Sequence, residues 1–306
     1  MKTELQQTLS GIEVTEPSVS GMLQVFGLRW AITGDLFYIT LDEALADETL
    51  EITEVSEGGE VPTLMVINNS GTMIFLMAGE QLIGAKQNRV LNVSLMIAAH
   101  GKVPIPVSCT EQKRWSYRSR KFHSSGSISH GRLRRQMAED VYDGYHTMCR
   151  PVSKQDRVWS EVNRKLNKMN TLSGSDALEQ VYEDHQAKIE DTIRDVRVPE
   201  GCCGAVFAFN GKIAGMDIFD KPSTLSKLLP KLIRGYAIDA MEEKSTDRVS
   251  REAVKDWICS VTEAQFDSFE SPGLGFDIRI RSGSLIGDSL LVDECPVHVE
   301  LFPGAR

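Results

Sequence analysis

Short apolar runs set between turn-forming residues recur along the first third of the chain and predict strands at residues 36–41, 63–68 and 73–77. Asn68-Asn69-Ser70-Gly71, between the last two, predicts a hairpin connection. Further runs at 90–99 and 103–109 are split by His100-Gly101-Lys102. Pro104 and Pro106 confine the second of these to an edge or a bulge, because proline cannot donate to a ladder.

The period then changes. Val158, Val162, Leu166 and Met169 recur at helical spacing behind Ser153, the expected cap. Thr171-Leu172-Ser173-Gly174 ends that helix, and Leu178, Val181, Tyr182, Ile189 and Ile193 predict the next. Runs at 205–210 and 212–219 flank Asn210-Gly211, a strong hairpin signal. Helices are expected at 223–241, with Pro230 inside, and at 250–261, and closing strands at 276–281, 284–292 and 297–302. The fold class is therefore α+β: a β-rich N-terminal half, a helical middle insertion, and a C-terminal β-hairpin–helix unit with closing strands. The expected divisions are 1–112, 113–200 and 201–306, with the first and last able to form one composite domain.

The composition changes little in this picture. In 306 residues, 41% apolar and 25% charged side chains are ordinary globular usage and exclude a disordered, collagenous or disulfide-scaffold chain. No apolar run nears the ~20 residues of a membrane helix, and the opening residues lack an apolar signal core. No membrane partner and a cytoplasmic location are expected. None of the six cysteines forms C-x-x-C, and Cys202 and Cys203 are adjacent, so reduced thiols are expected. His146 and Cys149 have no companion ligand pair, so no metal site is expected. No cofactor is predicted, although a divalent cation carried by a ligand's phosphates stays open.

The net charge of −9 means that any nucleic-acid role must rest on a local patch. Residues 112–138 supply one: eight cations and no acid, interleaved with Trp115, Tyr117 and Phe122. Ser124-Ser125-Gly126-Ser127 within it reads as a flexible loop. Such a segment can close over a phosphorylated ligand or contact RNA or DNA. It can also dock on residues 42–60, which hold eight acids and no base, within the chain or across a homo-oligomer.

Two clusters carry candidate chemistry. Gly79-Glu80-Gln81-Leu82-Ile83-Gly84-Ala85-Lys86-Gln87-Asn88-Arg89 offers cations, amides and a carboxylate beside two glycines, a set suited to a polar, anionic ligand. At the end of the 103–109 run stand Cys109, Glu111, Arg114 and Trp115. Glu80, Glu111 and Lys86 are the expected catalytic groups, the carboxylates as general acid and base. Lys86, Gln87, Asn88, Arg89, Arg114 and Arg118 would bind such a ligand, and Trp115 would stack. Cys109 needs a base to become a nucleophile, and a buried strand cysteine is its plainer state. The same residue types also build ordinary solvated turns. No P-loop, G-x-G-x-x-G, G-x-S-x-G or H-E-x-x-H occurs, which weighs against common nucleotide hydrolases, dinucleotide oxidoreductases and zincins.

The Gly79–Arg89 run with Gly84-Ala85-Lys86-Gln87-Asn88-Arg89, the Ile105–Trp115 run with Ile105-Pro106-Val107-Ser108-Cys109, and the 205–241 hairpin–helix with Gly215, Phe219-Asp220, Pro230-Lys231-Leu232 and Tyr236-Ala237 together form a pattern. It resembles the prokaryotic family named for its association with ADP-ribosylglycohydrolase and rhodanese-phosphatase superfamily proteins. The resemblance spans roughly residues 36–302. It implies work on ADP-ribose, NAD-derived or other phosphorylated nucleotide ligands, with the family's polar positions falling on Glu80, Lys86, Gln87, Asn88, Arg89, Glu111, Arg114 and Trp115. With such a ligand, Lys86, Arg89 and Arg114 would bind phosphates, Gln87 and Asn88 would read ribose or base, and the convergence of these residue types at two strand ends gives hydrolysis of a glycosidic or phosphoester bond as the expected reaction class. The alternatives are a non-catalytic module that binds or sequesters a nucleotide signal, and RNA or DNA contact through residues 113–135.

Overall fold

The computed structural model describes residues 9, 11–30, 34–56 and 58–304. The chain opens with β1 (Glu13–Ser20) and β2 (Leu23–Arg29), then β3 (Tyr38–Thr40), α1 (Leu41–Ala46) and β4 (Leu50–Glu54). Next come β5 (Thr63–Asn68), β6 (Met73–Leu76), β7 (Glu80–Gly84), β8 (Arg89–Leu91), β9 (Leu95–Ile97), β10 (Lys102–Cys109) and β11 (Phe122–Ile128). The helices α2 (Gly131–Met148), α3 (Gln155–Lys168), α4 (Glu179–Asp184) and α5 (Gln186–Asp195) follow. The hairpin β12 (Gly204–Phe209) and β13 (Lys212–Phe219) leads into α6 (Pro222–Ala240) and α7 (Arg251–Cys259). Strands β14 (Gln265–Glu270), β15 (Phe276–Arg281), β16 (Leu285–Val292) and β17 (Cys295–Pro303) close the chain. The architecture is mixed α+β, as the periodicities indicate.

Among the described residues the strands form three sheets. The largest is antiparallel throughout, in the order β1-β2-β12-β13-β17-β16-β15-β14. Both its faces are covered and carry apolar side chains, because successive side chains alternate sides. Val206 and Ala208 pack with Val254 and Ile258 of α7, whereas Ala205 and Phe207 pack with Leu232 and Tyr236 of α6. The closing strands thus join the β1–β2 ribbon, which the early sequence pattern does not reveal.

The second sheet runs β11-β7-β8-β10-β5-β4, and the third β3-β6-β9. They share one core, with Ile52, Leu64, Leu82 and Ile105 from one and Ile74 and Ile97 from the other. Asn68-Asn69-Ser70-Gly71 is not a hairpin turn: β5 pairs with β4 and β10, and β6 with β3 and β9. Asn68 passes the chain between sheets by donating to the carbonyls of Thr72 and Ala98. The prolines of β10 fit because pairing there is one-sided. Residues 102–106 pair only with β5 and 107–109 only with β8.

Ser124–Ser127 is not a free loop. These residues lie in β11, which pairs with β7 across a register shift. Ser153 does not cap α3; its hydroxyl reaches Asp140, and Lys154 takes the cap position.

Beside β11, burial and the neighbouring Glu183 push Glu179 up to about 7, against the opposing effects of Ser125 and Arg234. A carboxyl raised in the fold favours the native state while protonated, so its contribution is lost as pH climbs from the unfolded value near 4.5. Glu179→Gln is expected to melt with the parent at pH 4.5 and to exceed it by about 1–3 kcal/mol at pH 8. Thermal unfolding at the two pH values checks this, and an unchanging gap would refute it.

Candidate functional site

The two predicted clusters meet because Arg89, the first residue of β8, is the cross-strand partner of Cys109, the last of β10. The β7–β8 connection, residues 85–88, then folds over the residues that follow β10. Gly84 has φ +124°, and a Cβ there would stand 2.6 Å from Ser119 Oγ. Ala85 is buried with φ +35°, an uncommon backbone for a residue with a side chain.

Arg114 holds this strained turn. Its Nη1 donates to the carbonyls of Ala85 (2.6 Å) and Ser116 (2.8 Å), and its Nη2 to Gly84 O and Asn88 Oδ1 (both 3.2 Å). The same guanidinium forks onto Glu111 through Nε (2.9 Å) and Nη2 (2.6 Å). Glu111 also accepts from the Asn88 N–H (3.1 Å) and Ser175 Oγ (2.6 Å). Burial alone would raise the Glu111 carboxyl, but the hydrogen bonds from Arg114, Ser175 and Asn88 hold it below the usual carboxylate range.

Beside the staple lies a second layer. Arg89 is fully buried; its Nη1 donates to Gln87 Oε1 (3.0 Å) and lies 2.8 Å from Cys109 Sγ. Burial pushes the Cys109 thiol up to about 11, so it is protonated at neutral pH. Gln87 Nε2 donates to Gln112 O (3.3 Å). Lys86 Nζ donates to Gly58 O (2.7 Å) and stands over two aromatic rings, 5.3 Å from the Trp115 centroid and 5.2 Å from that of Tyr117. Arg89 Cζ lies 5.7 Å from the Trp115 ring. Both rings are about half exposed. Arg118 reaches Glu111 Oε1 at 3.9 Å and is largely exposed.

Glu54, the last residue of β4, completes the cluster, with Oε1 3.6 Å from Arg89 Nη2. The sequence reading missed it. Its signal was phase: Leu50, Ile52 and Glu54 alternate inward along β4, so a carboxylate occupies a core-facing position. With four cations against two carboxylates, the cluster is net positive and suited to an anion.

Glu80 stands apart. It begins β7 whereas the Lys86 turn follows its end, about 13 Å of strand away. It is buried against Lys231 (2.5 Å), which also binds Asp42 (2.7 Å) and Ser124. Burial pushes the Glu80 carboxyl up, with Lys231 opposing. The structure therefore joins Lys86, Gln87, Asn88, Arg89, Cys109, Glu111, Arg114, Trp115 and Arg118, and leaves Glu80 in a separate ion pair.

Most cations of the basic segment are paired within the chain. Lys113 pairs with Asp176, Lys121 with Glu51, Arg132 with Glu161, and Arg135 with Glu139. Lys121 thus docks on the acidic 42–60 stretch of its own chain.

A second polar group lies deep between the large sheet and α2. Arg134 bridges Asp217 and Glu300, and His298 Nε2 is 3.1 Å from Asp217 Oδ1 while its Nδ1 is 2.9 Å from Ser94 Oγ. Asp217, His298 and Glu300 bring metal-type donors within 4.8 Å. The Arg134 guanidinium lies on both carboxylates and fills the place a cation would take. The Ser–His–Asp alignment is closed off: Ser94 Oγ accepts from the Ala78 N–H, and Phe219 stacks on His298 with centroids 4.8 Å apart. This group is a buried scaffold of the fold.

No curated protein and no solved structure shows significant similarity to the chain. The family model described as the ARG and Rhodanese-Phosphatase-superfamily-associated Protein domain matches residues 11–302, which takes in all three sheets and the cluster at the β7–β8 turn. The chain belongs to that family.

Proposed function

We propose that this protein binds an ADP-ribose-type or other phosphorylated nucleotide ligand at the β7–β8 turn. One observation carries the reading: the Lys86 ammonium and the buried Arg89 guanidinium lie against half-exposed Trp115, with Tyr117 beside Lys86. Cations beside flat rings suit a ligand that is anionic at one end and aromatic at the other. Lys86 and Arg118 have donors to spare for phosphate. In this reading Arg114 and Glu111 position the turn, because each is already saturated by protein groups. The family's association with ADP-ribosylglycohydrolases is a coarse pointer in the same direction. Small-molecule capture is favoured over RNA or DNA, since most cations of residues 112–138 are spent on acids of the same chain.

The test is a thermal-shift screen with ADP-ribose, NAD and ADP, followed by mass spectrometry of each ligand. A ligand at 100 times its Kd stabilises by about 2.7 kcal/mol, which is readable. Lys86→Ala and Trp115→Ala are expected to abolish the shift. A shift accompanied by a mass change makes the protein an enzyme acting on that ligand. A shift without a mass change makes the protein a sensor or sequestering module. No shift with any of the three defeats the proposal.

A further inference from the structure

The geometry points to Glu54 as the residue that reads a sugar hydroxyl in this site, making the ligand a ribose-bearing phosphate; this rests on the nucleotide reading above. Glu54 is nearly excluded from solvent, and its Oε2 has no hydrogen-bond partner. Nor do Nε and Nη2 of Arg89, which is fully buried. The two residues face each other at 3.6 Å, close enough for attraction and too far for a hydrogen bond. Unmade hydrogen bonds on buried charged groups are costly, and these two facing side chains offer a ligand group both an acceptor and donors.

The direction of the free carboxylate oxygen is set by its surroundings. A Cβ built on Gly59 would lie 3.3 Å from Glu54 Oε2, 3.3 Å from Lys86 Cδ and 3.4 Å from the Trp115 ring. Oε2 therefore lies beside Gly59, Lys86 and Trp115, next to the groups assigned above to the ligand. Gly59 has φ +72°, so this close approach depends on a residue that tolerates the left-handed region.

The chemistry of the pair selects what it can accept. A phosphate offers only acceptors and would be repelled by Glu54. An ammonium offers only donors and would be repelled by Arg89. A hydroxyl donates to the carboxylate and accepts from the guanidinium through one atom, and a vicinal diol can serve both at once. A guanine edge also presents donor and acceptor side by side. However, the flat surfaces that would hold a base are the half-exposed rings of Trp115 and Tyr117, whereas Glu54 and Arg89 are buried. The phosphate then falls to Lys86 and Arg118, the sugar to Glu54 and Arg89, and the base to the rings.

Isothermal titration of the full chain with ADP, 2′-deoxy-ADP, 3′-deoxy-ADP and GDP tests this assignment. With the parent protein, at least one deoxy analogue is expected to bind about 10- to 100-fold more weakly than ADP, the range for a lost hydrogen bond to a charged group. In Glu54→Ala that difference should shrink below about 3-fold. Glu54→Gln, nearly isosteric, should reduce it as well, with a lower melting temperature because buried Arg89 loses its carboxylate. Equal binding of ADP and both deoxy analogues would overturn the hydroxyl assignment and leave the nucleotide reading standing. So would a marked preference for GDP with no loss on deoxygenation, which would make Glu54 a reader of the base. Failure of all four to bind the parent, with ADP-ribose and NAD failing too, would overturn both.

Discussion

Replacing Arg134 with methionine is expected to destabilise the protein by about 3–5 kcal/mol, with a melting temperature lower by roughly 10 °C. The guanidinium is buried between β13 and β17 and donates to both Asp217 and Glu300. Around it lies a continuous polar chain. Glu300 hydrogen-bonds Asp288, its cross-strand partner in β16, and Arg279 ties Asp288 (3.0 Å) to Asp277 (2.6 Å). Like charges directly opposite one another repel. Burial pushes the carboxyls of Asp288 and Glu300 up, so a shared proton lets them face each other.

The pH dependence follows with a definite sign. In the parent, burial would raise Asp217, but Arg134 and His298 outweigh it and hold the carboxyl down to about 2. A depressed carboxyl stabilises the fold above its unfolded value near 3.8, and that stability is lost as pH falls toward 2. Without Arg134, Asp217 becomes a buried acid that prefers its proton, so its contribution is lost as pH rises. The destabilisation of Arg134→Met should therefore be larger at pH 8 than at pH 5. Adding Glu300→Gln removes one of the stranded charges and should recover part of the loss. Denaturant unfolding of the parent, the two single variants and the double variant measures the coupling. A double variant no better than Arg134→Met would mean that Arg134 acts by filling volume.

Much of this architecture was legible from periodicity. β5 and β15 begin and end where the apolar runs do, and Asn210-Gly211 makes its hairpin with positive φ at both residues. What was hidden has physical causes. Strand β1 reads EVTEPSVS and packs little of itself, so its apolar signal is weak. In the large sheet both faces are covered, and period-two alternation disappears where every position is apolar. The clustering of residues 86–89 with 109–115 was visible as two polar strand ends, although the Cys109–Arg89 register that joins them is a long-range fact. Glu80 was grouped with Lys86 because its run looks like one turn; the strand between them is only five residues long. Glu54 was masked by its neighbours, since in a stretch of eight acids the one that faces inward does not stand out.

Arg114 provides the second large effect, and it separates positioning from ligand contact. Arg114→Ala would leave Glu111, fully buried, with only the more distant Arg118 as counter-ion, and the carbonyl of Ala85 supported only by the Arg118 N–H. A loss of about 3–5 kcal/mol is expected. Lysine is no substitute: it supplies charge as a point, whereas the fork here serves Glu111 and four further oxygens across three segments. Arg114→Lys should therefore still lose about 2 kcal/mol or more. With the fork gone the strained Ala85 backbone can relax, and Lys86 and Arg89 lose their fixed separation. Binding of ADP-ribose should then fall with stability, by roughly tenfold or more, since a site loosened by an ångström no longer meets its ligand. Arg118→Ala is the contrast, because Arg118 is largely exposed and its loss should weaken binding while the melting temperature holds. Thermal unfolding and titration of these variants read the two quantities separately. If Arg114→Lys melts with the parent yet binds poorly, Arg114 touches the ligand directly, and the turn is held by something other than its fork.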